Sequence, residues 1–299
     1  ADPMPEIVVT ADLRGQTTME TGSSVTVINE SVIKHRAAQH FEDIINAIPN
    51  VNYSSGSNRA RFFQIRGIGE RSQFINPINP SVGVLIDDVD FSGAGSIATL
   101  IDVKQVEVLR GPQGTRYGAN ALAGLINIQT NDPDDSHFAS LKLSVAEYGT
   151  GTFGFVGNLP ISAQLKARFV IESHKSDGYM TNDFLGRDDL NDRDELTLRT
   201  KLAWNVADNW DINLSIANID VDNGYDAFSL DNTRHTLSDE PGFDRQDSTY
   251  VSLKSMWRWE AFNMEFLLNQ AASDLDYGYD EDWSFTGIHP FGYTFWLIS

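Results

Sequence analysis

Apolar and polar residues alternate with a period of two through most of the chain beyond residue 138. Leu165, Ala167, Phe169 and Ile171 interleave with Lys166, Arg168 and Glu172. Leu196, Leu198, Leu202, Trp204 and Val206 interleave with Thr197, Arg199, Lys201 and Asn205. The same rhythm returns at 210–216, 251–259 and 262–269, and more weakly at 141–145 and 153–159. Residues two apart share one face of a strand, so each run predicts a strand with one apolar and one polar face. The runs are about nine to eleven residues long, enough for a tilted strand to cross a bilayer. About seven strands are predicted, with an eighth at 292–298. Their connections alternate between short (159–164, 207–209, 260–261) and long (176–194, 220–247). Trp204, Trp210, Trp257 and Trp259 lie beside the short ones, as an interfacial aromatic girdle would.

The first 130 residues have a different texture. Residues 25–28, 62–68, 82–89, 103–109 and 125–128 predict short strands. Residues 31–48 carry Val32, Ile33, Ala37, Phe41, Ile44, Ile45 and Ile48 at helical spacing, capped by Ser31 or Glu30 and ended by Pro49. His35 and His40 are expected on its surface. Polar loops are expected at 53–61, 70–80 and 91–96. Asp87, Asp88 and Asp90 predict a turn at a strand end rather than a calcium site. The result is a small α+β domain, and residues 132–136, DPDDS, mark its boundary.

Residues 106–128 read VEVLRGPQGTRYGANALAGLINI. This string resembles the plug signature of TonB-dependent outer-membrane receptors. RGIG at 66–69 and EIVVT at 6–10 resemble further motifs of that family. The resemblance implies an α+β plug domain followed by the first antiparallel strands of a transmembrane β-barrel of about 22 strands. It implies a TonB-box segment and linker at 1–22, a plug at 23–133 and barrel strands with external loops at 134–299. The box, Glu6, Ile7, Val8, Val9, Thr10 and Ala11, would add as a strand to periplasmic TonB, which ExbB and ExbD energise. Plug-apex residues Tyr53, Arg59, Arg71, Gln73, Phe74, Asn76, Phe91 and Ser92 would face the ligand. Arg66 and Arg110 would form an ionic lock with barrel glutamates. The function implied is active uptake of a scarce nutrient, most commonly a ferric siderophore in this family, with haem, cobalamin and oligosaccharide as alternatives. No enzyme activity and no cofactor are implied. Seven or eight strands cannot enclose such a plug, so the chain is expected to be the N-terminal portion of a receptor over twice as long.

Composition narrows the choices further. The 299 residues carry a net charge of -20, which argues against nucleic-acid binding. The charge is uneven: -4 over residues 1–133 and -16 over 134–299. Eight acids against two bases fall in 220–247, and five acids with no base in 274–282. These read as solvated external loops, with attraction of a cation as the sharper reading. There is no cysteine, so disulfides and thiolate metal sites are excluded, and no metal site is expected elsewhere. The competing class is a soluble β-rich binding or adhesion module. It requires the apolar strand faces to be covered by a second sheet.

Overall fold

The computed structural model describes residues 24–55, 59–71, 80–94, 99–114, 120–225 and 228–288. The six TonB-box residues, Gln73, Phe74, Asn76 and the expected eighth strand lie outside the described residues. The chain divides into two compact units. One comprises Ala1–Gly56, Ala60–Asp132 and Leu267–Ala271; the other comprises Ser57–Arg59, Pro133–Phe266 and Ala272–Ser299.

The first unit contains β1 (Ser24–Asn29), α1 (Glu30–His35), α2 (Glu42–Ile45), β2 (Val51–Ser54), β3 (Phe62–Ile65), β4 (Val82–Ile86), β5 (Val89–Asp90), β6 (Val103–Arg110) and β7 (Gly124–Thr130). Five of these strands form one sheet in the order β1-β6-β7-β4-β5, while β2 and β3 pair as a hairpin. Only β4 and β7 run parallel in the larger sheet. Its middle strands are buried on both faces, with Val106, Val108 and Ile126 on one and Glu107 and Asn127 on the other, as expected of strands covered on both sides. Gly124 opens β7 because nothing larger fits there. A Cβ would stand 2.4 Å from Leu109 O and 2.7 Å from Ile65 Cδ1.

The single helix expected at 31–48 is instead two short ones. Asn29 caps α1, its Oδ1 accepting from Val32 N at 3.1 Å. The helix stops at Ala37, whose φ of 49° is left-handed. Asp43 Oδ2 then accepts the N–H groups of Gln39 and His40, each at 2.9 Å, and starts the second turn. Ile33, Phe41, Ile44, Ile45 and Ile48 are buried as the spacing predicts, but Ala37 is exposed. His40 is 2% exposed and bridges to Thr99, which corrects its expected place on the surface. The turn at Asp87 and Asp88 forms as predicted, with both residues at positive φ. The Asp87 carboxylate accepts from Thr130 N at 2.9 Å and Thr130 Oγ1 at 2.7 Å.

The second unit is built on β8 (Phe138–Val145), β9 (Gly151–Pro160), β10 (Leu165–Ser176), β13 (Arg193–Ala207), β14 (Trp210–Tyr225), β16 (Gly242–Arg258) and β17 (Asn263–Gly278). They form a seven-stranded sheet in the order β17-β16-β14-β13-β10-β9-β8. Between them, β11 (Met180–Asn182), β12 (Arg187–Leu190) and β15 (His235–Thr236) form a small three-stranded sheet inside connections expected to be loops.

The main strands run further than the apolar alternation. β14 and β16 stay paired from Trp210↔Trp257 through Asp220↔Asp247 and Asp222↔Arg245 to Tyr225↔Gly242. The acidic stretch expected to be a loop from 220 to 247 is therefore ladder at both ends. Main-chain pairing is indifferent to side-chain charge, and Arg245 Nε meets Asp222 Oδ1 at 2.7 Å across the strands.

The polarity of this sheet is inverted relative to a soluble one. Arg168, Glu172, Arg199, Lys201 and Ser252 are at most 8% exposed. On the same strands Phe169, Ile171, Leu198 and Val251 are 38–41% exposed. The outer strand β8 exposes Leu141 at 60% and Leu143 at 70%. A water-facing surface of this kind forfeits about 25 cal/mol per Å² of apolar area, whereas lipid imposes no such cost. The second sheet required by a soluble module is absent among the described residues.

Candidate functional site

The residues expected to face a ligand divide by burial. Tyr53 stands on β2 opposite Phe63 and is 43% exposed. Arg71 is exposed, with Nη2 donating to Gly67 O at 3.3 Å. Phe91 is only 2% exposed and its N–H donates to Val84 O at 2.8 Å. That overturns the expectation that it contacts ligand: a ring at the foot of a tight hairpin gains more by leaving water. Ser92 Oγ accepts from Val84 N at 3.0 Å and donates to Asp90 Oδ1, so its hydroxyl holds the same hairpin.

Arg59 also departs from expectation. Its side chain has no exposure, and Nη1 donates to Glu195 Oε2 at 3.0 Å. The other carboxylate oxygen, Oε1, accepts from Asn223 Nδ2 at 3.0 Å, and Asn223 Oδ1 accepts from Asp194 N at 3.0 Å. The guanidinium is a buried ion-pair partner, not an open contact, because a charge taken out of water requires an opposite one. Glu195 and Asn223 carried no distinguishing mark in the sequence, where they read as ordinary inward positions of alternating strands.

Arg66 and Arg110, the expected lock residues, are neighbours. Arg66 is exposed, has φ 55°, and donates its backbone N–H to Asn50 O at 2.8 Å. Arg110 is 8% exposed and gives its donors to neutral oxygens: Nε to Pro49 O at 3.1 Å, Nη1 to Ser24 Oγ at 3.4 Å and Nη2 to Thr26 Oγ1 at 2.6 Å. Burial, and then the Arg66 charge, lower the pKa of the Arg110 guanidinium. Among the described residues neither guanidinium meets a carboxylate.

Glu107 is a residue that sequence reasoning passed over. It is fully buried on the central strand β6, and its carboxylate accepts from Gln105 Nε2 at 2.5 Å and Asn127 Nδ2 at 3.1 Å. The signal was present: an acid flanked by Val106 and Val108 and followed by Leu109 sits in a strand that folding buries, and a buried carboxylate must be paired.

At the short-turn end of the large sheet, Trp210 and Trp257 stack at 5.5 Å between ring centroids, with Trp210 Nε1 donating to Ser255 Oγ at 2.9 Å. Trp204 on β13 and Trp259, the residue after β16, are 48% and 43% exposed. Amphipathic rings at a sheet margin, next to a band of exposed aliphatic side chains, match the pattern of an interfacial aromatic girdle.

A mixed α+β unit carrying the 106–128 string, followed by strands that bury charged side chains and expose apolar ones, is the arrangement of the TonB-dependent receptors, the class to which this chain is similar. Residues 17–125 match the family described as the TonB-dependent Receptor Plug Domain. The pesticin receptor of Yersinia pestis is 29% identical over 187 residues, covering 62% of this chain and 27% of that protein. The vitamin B12 transporter BtuB of Vibrio vulnificus is 27% identical over 216 residues, covering 69% and 33%. In three dimensions the chain is similar to the crystal structure of the ferric yersiniabactin uptake receptor FyuA from Yersinia pestis. The TM-score is 0.75 at 25% identity, covering 86% of this chain and 41% of that one. The chain thus spans about a quarter to a third of the length of these curated relatives.

Proposed function

We propose that the protein imports a scarce nutrient across the bacterial outer membrane with energy delivered by TonB, and that the nutrient is a ferric siderophore. The observation that carries the membrane assignment is the inverted polarity of the seven-stranded sheet, which suits strands facing lipid on one side. The siderophore assignment is supported by the likeness to the ferric yersiniabactin uptake receptor over 86% of the chain. Likeness to a vitamin B12 transporter supports cobalamin as the second reading.

In this reading residues 1–22 recruit TonB, 23–133 are the plug that gates passage, and 134–299 supply the first barrel strands and external loops. Residues 6–11 pair with TonB as an added strand, drawing affinity from main-chain hydrogen bonds. Tyr53 and Arg71, with Gln73, Phe74 and Asn76, present ring faces, charge and amides to the ligand. Arg66 and Arg110 take carboxylates from barrel strands outside residues 1–299, which locks the plug until TonB engages. The ligand is moved, not chemically altered.

The test is uptake by intact cells expressing the full-length receptor. Iron-55 loaded on a siderophore panel should accumulate, and accumulation should vanish when TonB is deleted. Uptake of labelled cobalamin with no iron accumulation rejects the siderophore assignment. Uptake indifferent to TonB rejects the energy coupling.

A further inference from the structure

In the first unit, β1 is an edge of the five-stranded sheet and pairs with β6 alone. The pairing is antiparallel and six residues long, from Ser24↔Arg110 to Asn29↔Gln105. Residues 1–22, the segment expected to meet TonB, precede β1 in the chain. A pull on that segment therefore reaches the Ser24↔Arg110 pair before any other pair of the sheet. A strand loaded at one end opens pair by pair, so its first cross-strand contacts set the resistance. The apolar side of β1 adds little to its hold. Only Ile28 of its six residues is buried, and Val25 and Val27 are partly buried against the cluster of Leu85 and Leu109.

Arg110 reinforces the loaded end. Its Nη2 donates to Thr26 Oγ1 at 2.6 Å and its Nη1 to Ser24 Oγ at 3.4 Å. Ser24 is its direct partner across the ladder and Thr26, paired with Val108, is the diagonal one, so the guanidinium spans the first three pairs. Nε donates to Pro49 O at 3.1 Å, which anchors the group on the connection between α2 and β2 as well. Burial, and then the charge of Arg66, lower the pKa of this guanidinium. A buried cation depends on each acceptor it has, and a charged donor left unmet is costly. Its N–H groups are not all spent in these bonds, so it can also take a carboxylate.

We propose that Arg110 is a load-bearing staple: it holds the end of β1 that meets a pull from the N-terminal segment, and β1 peels from β6 as the first step of plug release. Arg110 acts here through β1 as a positioning residue and touches no ligand. Peeling β1 withdraws Ser24 and Thr26, the acceptors that aim the guanidinium, and so loosens its hold on a barrel carboxylate. One side chain thereby joins the pulled strand to the expected lock. The proposal rests on the transport reading only for the origin of the pull.

The experiment is constant-force extension of single full-length receptors in lipid nanodiscs, with neither TonB nor siderophore present. The handle is attached through Asp12→Cys, ahead of β1, in a stretch of 299 residues that has no other cysteine. The first step should lengthen the chain by about 20 Å, the span of a six-residue strand. Thr26→Val keeps a shape suited to a strand and removes the acceptor. It should shorten the lifetime of that step about ten-fold, the loss expected for a charge-assisted hydrogen bond. Thr26→Ser keeps a hydroxyl and should restore the lifetime. Deuterium exchange without load gives a second readout: in Thr26→Val the β1 amides should exchange about ten-fold faster while those of β7 are unchanged. A first step that releases the whole unit at once overturns the proposal. So does a lifetime indifferent to Thr26→Val, or equal acceleration of exchange in β1 and β7, which would mark a merely structural role. None of these outcomes bears on the nutrient or on TonB, whereas uptake indifferent to TonB rejects the transport reading and leaves the staple standing.

Discussion

Arg59 and Glu195 lie 136 positions apart in sequence and meet as a buried ion pair, Nη1 to Oε2 at 3.0 Å, with side-chain exposures of 0% and 5%. Glu195 is also held by Asn223, so its carboxylate is satisfied from two sides. Removing either partner leaves a charge in a place water does not reach. Glu195→Leu or Arg59→Met alone should destabilise the unit by about 3–5 kcal/mol, and the double variant should recover part of that loss. Denaturant unfolding of the full-length receptor in detergent measures both. Additive losses in the double variant would show that the two side chains act independently.

Two glycines of the 106–128 string should differ in their tolerance of alanine. At Gly124 a Cβ would strike Leu109 O and Ile65 Cδ1, and overpacking of this kind costs about 1–3 kcal/mol with a shift of backbone. Gly111 has φ 105° with nothing within 4 Å of the would-be Cβ, so only the backbone conformation opposes substitution, at about 1–2 kcal/mol. Gly124→Ala should therefore lower the thermal midpoint more than Gly111→Ala does. The reverse order would contradict the close approach of β7 to β6.

Asp134 anchors the connection between the two units' sequences to β9. Asn158 Nδ2 donates to its Oδ1 at 2.8 Å, and Ser136 donates both N–H and hydroxyl to the same oxygen. The Ser136 bonds hold the carboxyl below the ordinary carboxylate range. A depressed folded pKa contributes stability above the unfolded value of about 3.9, and that contribution disappears as pH falls through the lower folded value. Asp134→Asn should thus be less stable than wild type at pH 6, with the gap closing below pH 4. A gap that persists at pH 2.5 would mean that the ionised form is not what matters.

For the N-terminal segment the expectation is strand addition to TonB. Val8→Pro removes a main-chain donor from the middle of the segment. Binding of the TonB C-terminal domain to the full-length receptor, followed by surface plasmon resonance, should fall about ten-fold or more. Unchanged binding would reject residues 6–11 as the contact.

The strands of both units were legible wherever burial obeys a simple period. Leu196 and Leu198 alternate with Thr197 and Arg199, and Val82 to Ile86 form an unbroken run that is buried throughout, so pattern and structure coincide. The helix at 31–48 was misread because the apolar spacing of Ile33, Phe41 and Ile45 survives a break. Ala37 at positive φ and the cap formed by Asp43 are local backbone events that leave no periodic trace. The ends of β14 and β16 were missed for the opposite reason: Asp220, Asp222 and Asp247 read as solvated loop, while their main chain continues the ladder. Site residues were harder still. Arg59 and Phe91 looked like apical contacts by composition, and only burial separates them from Tyr53 and Arg71.

The prolongation of β14 and β16 beyond their greasy stretch has a mechanical consequence. A rim carried on two cross-hydrogen-bonded strands behaves as a cantilever, not as a tether. Asp222 and Arg245 keep their spacing unless several rungs of the ladder open together. Their amides should exchange with deuterium as slowly as those at Leu214 and Leu253, and a visiting molecule would find the aspartates at that rim already in position.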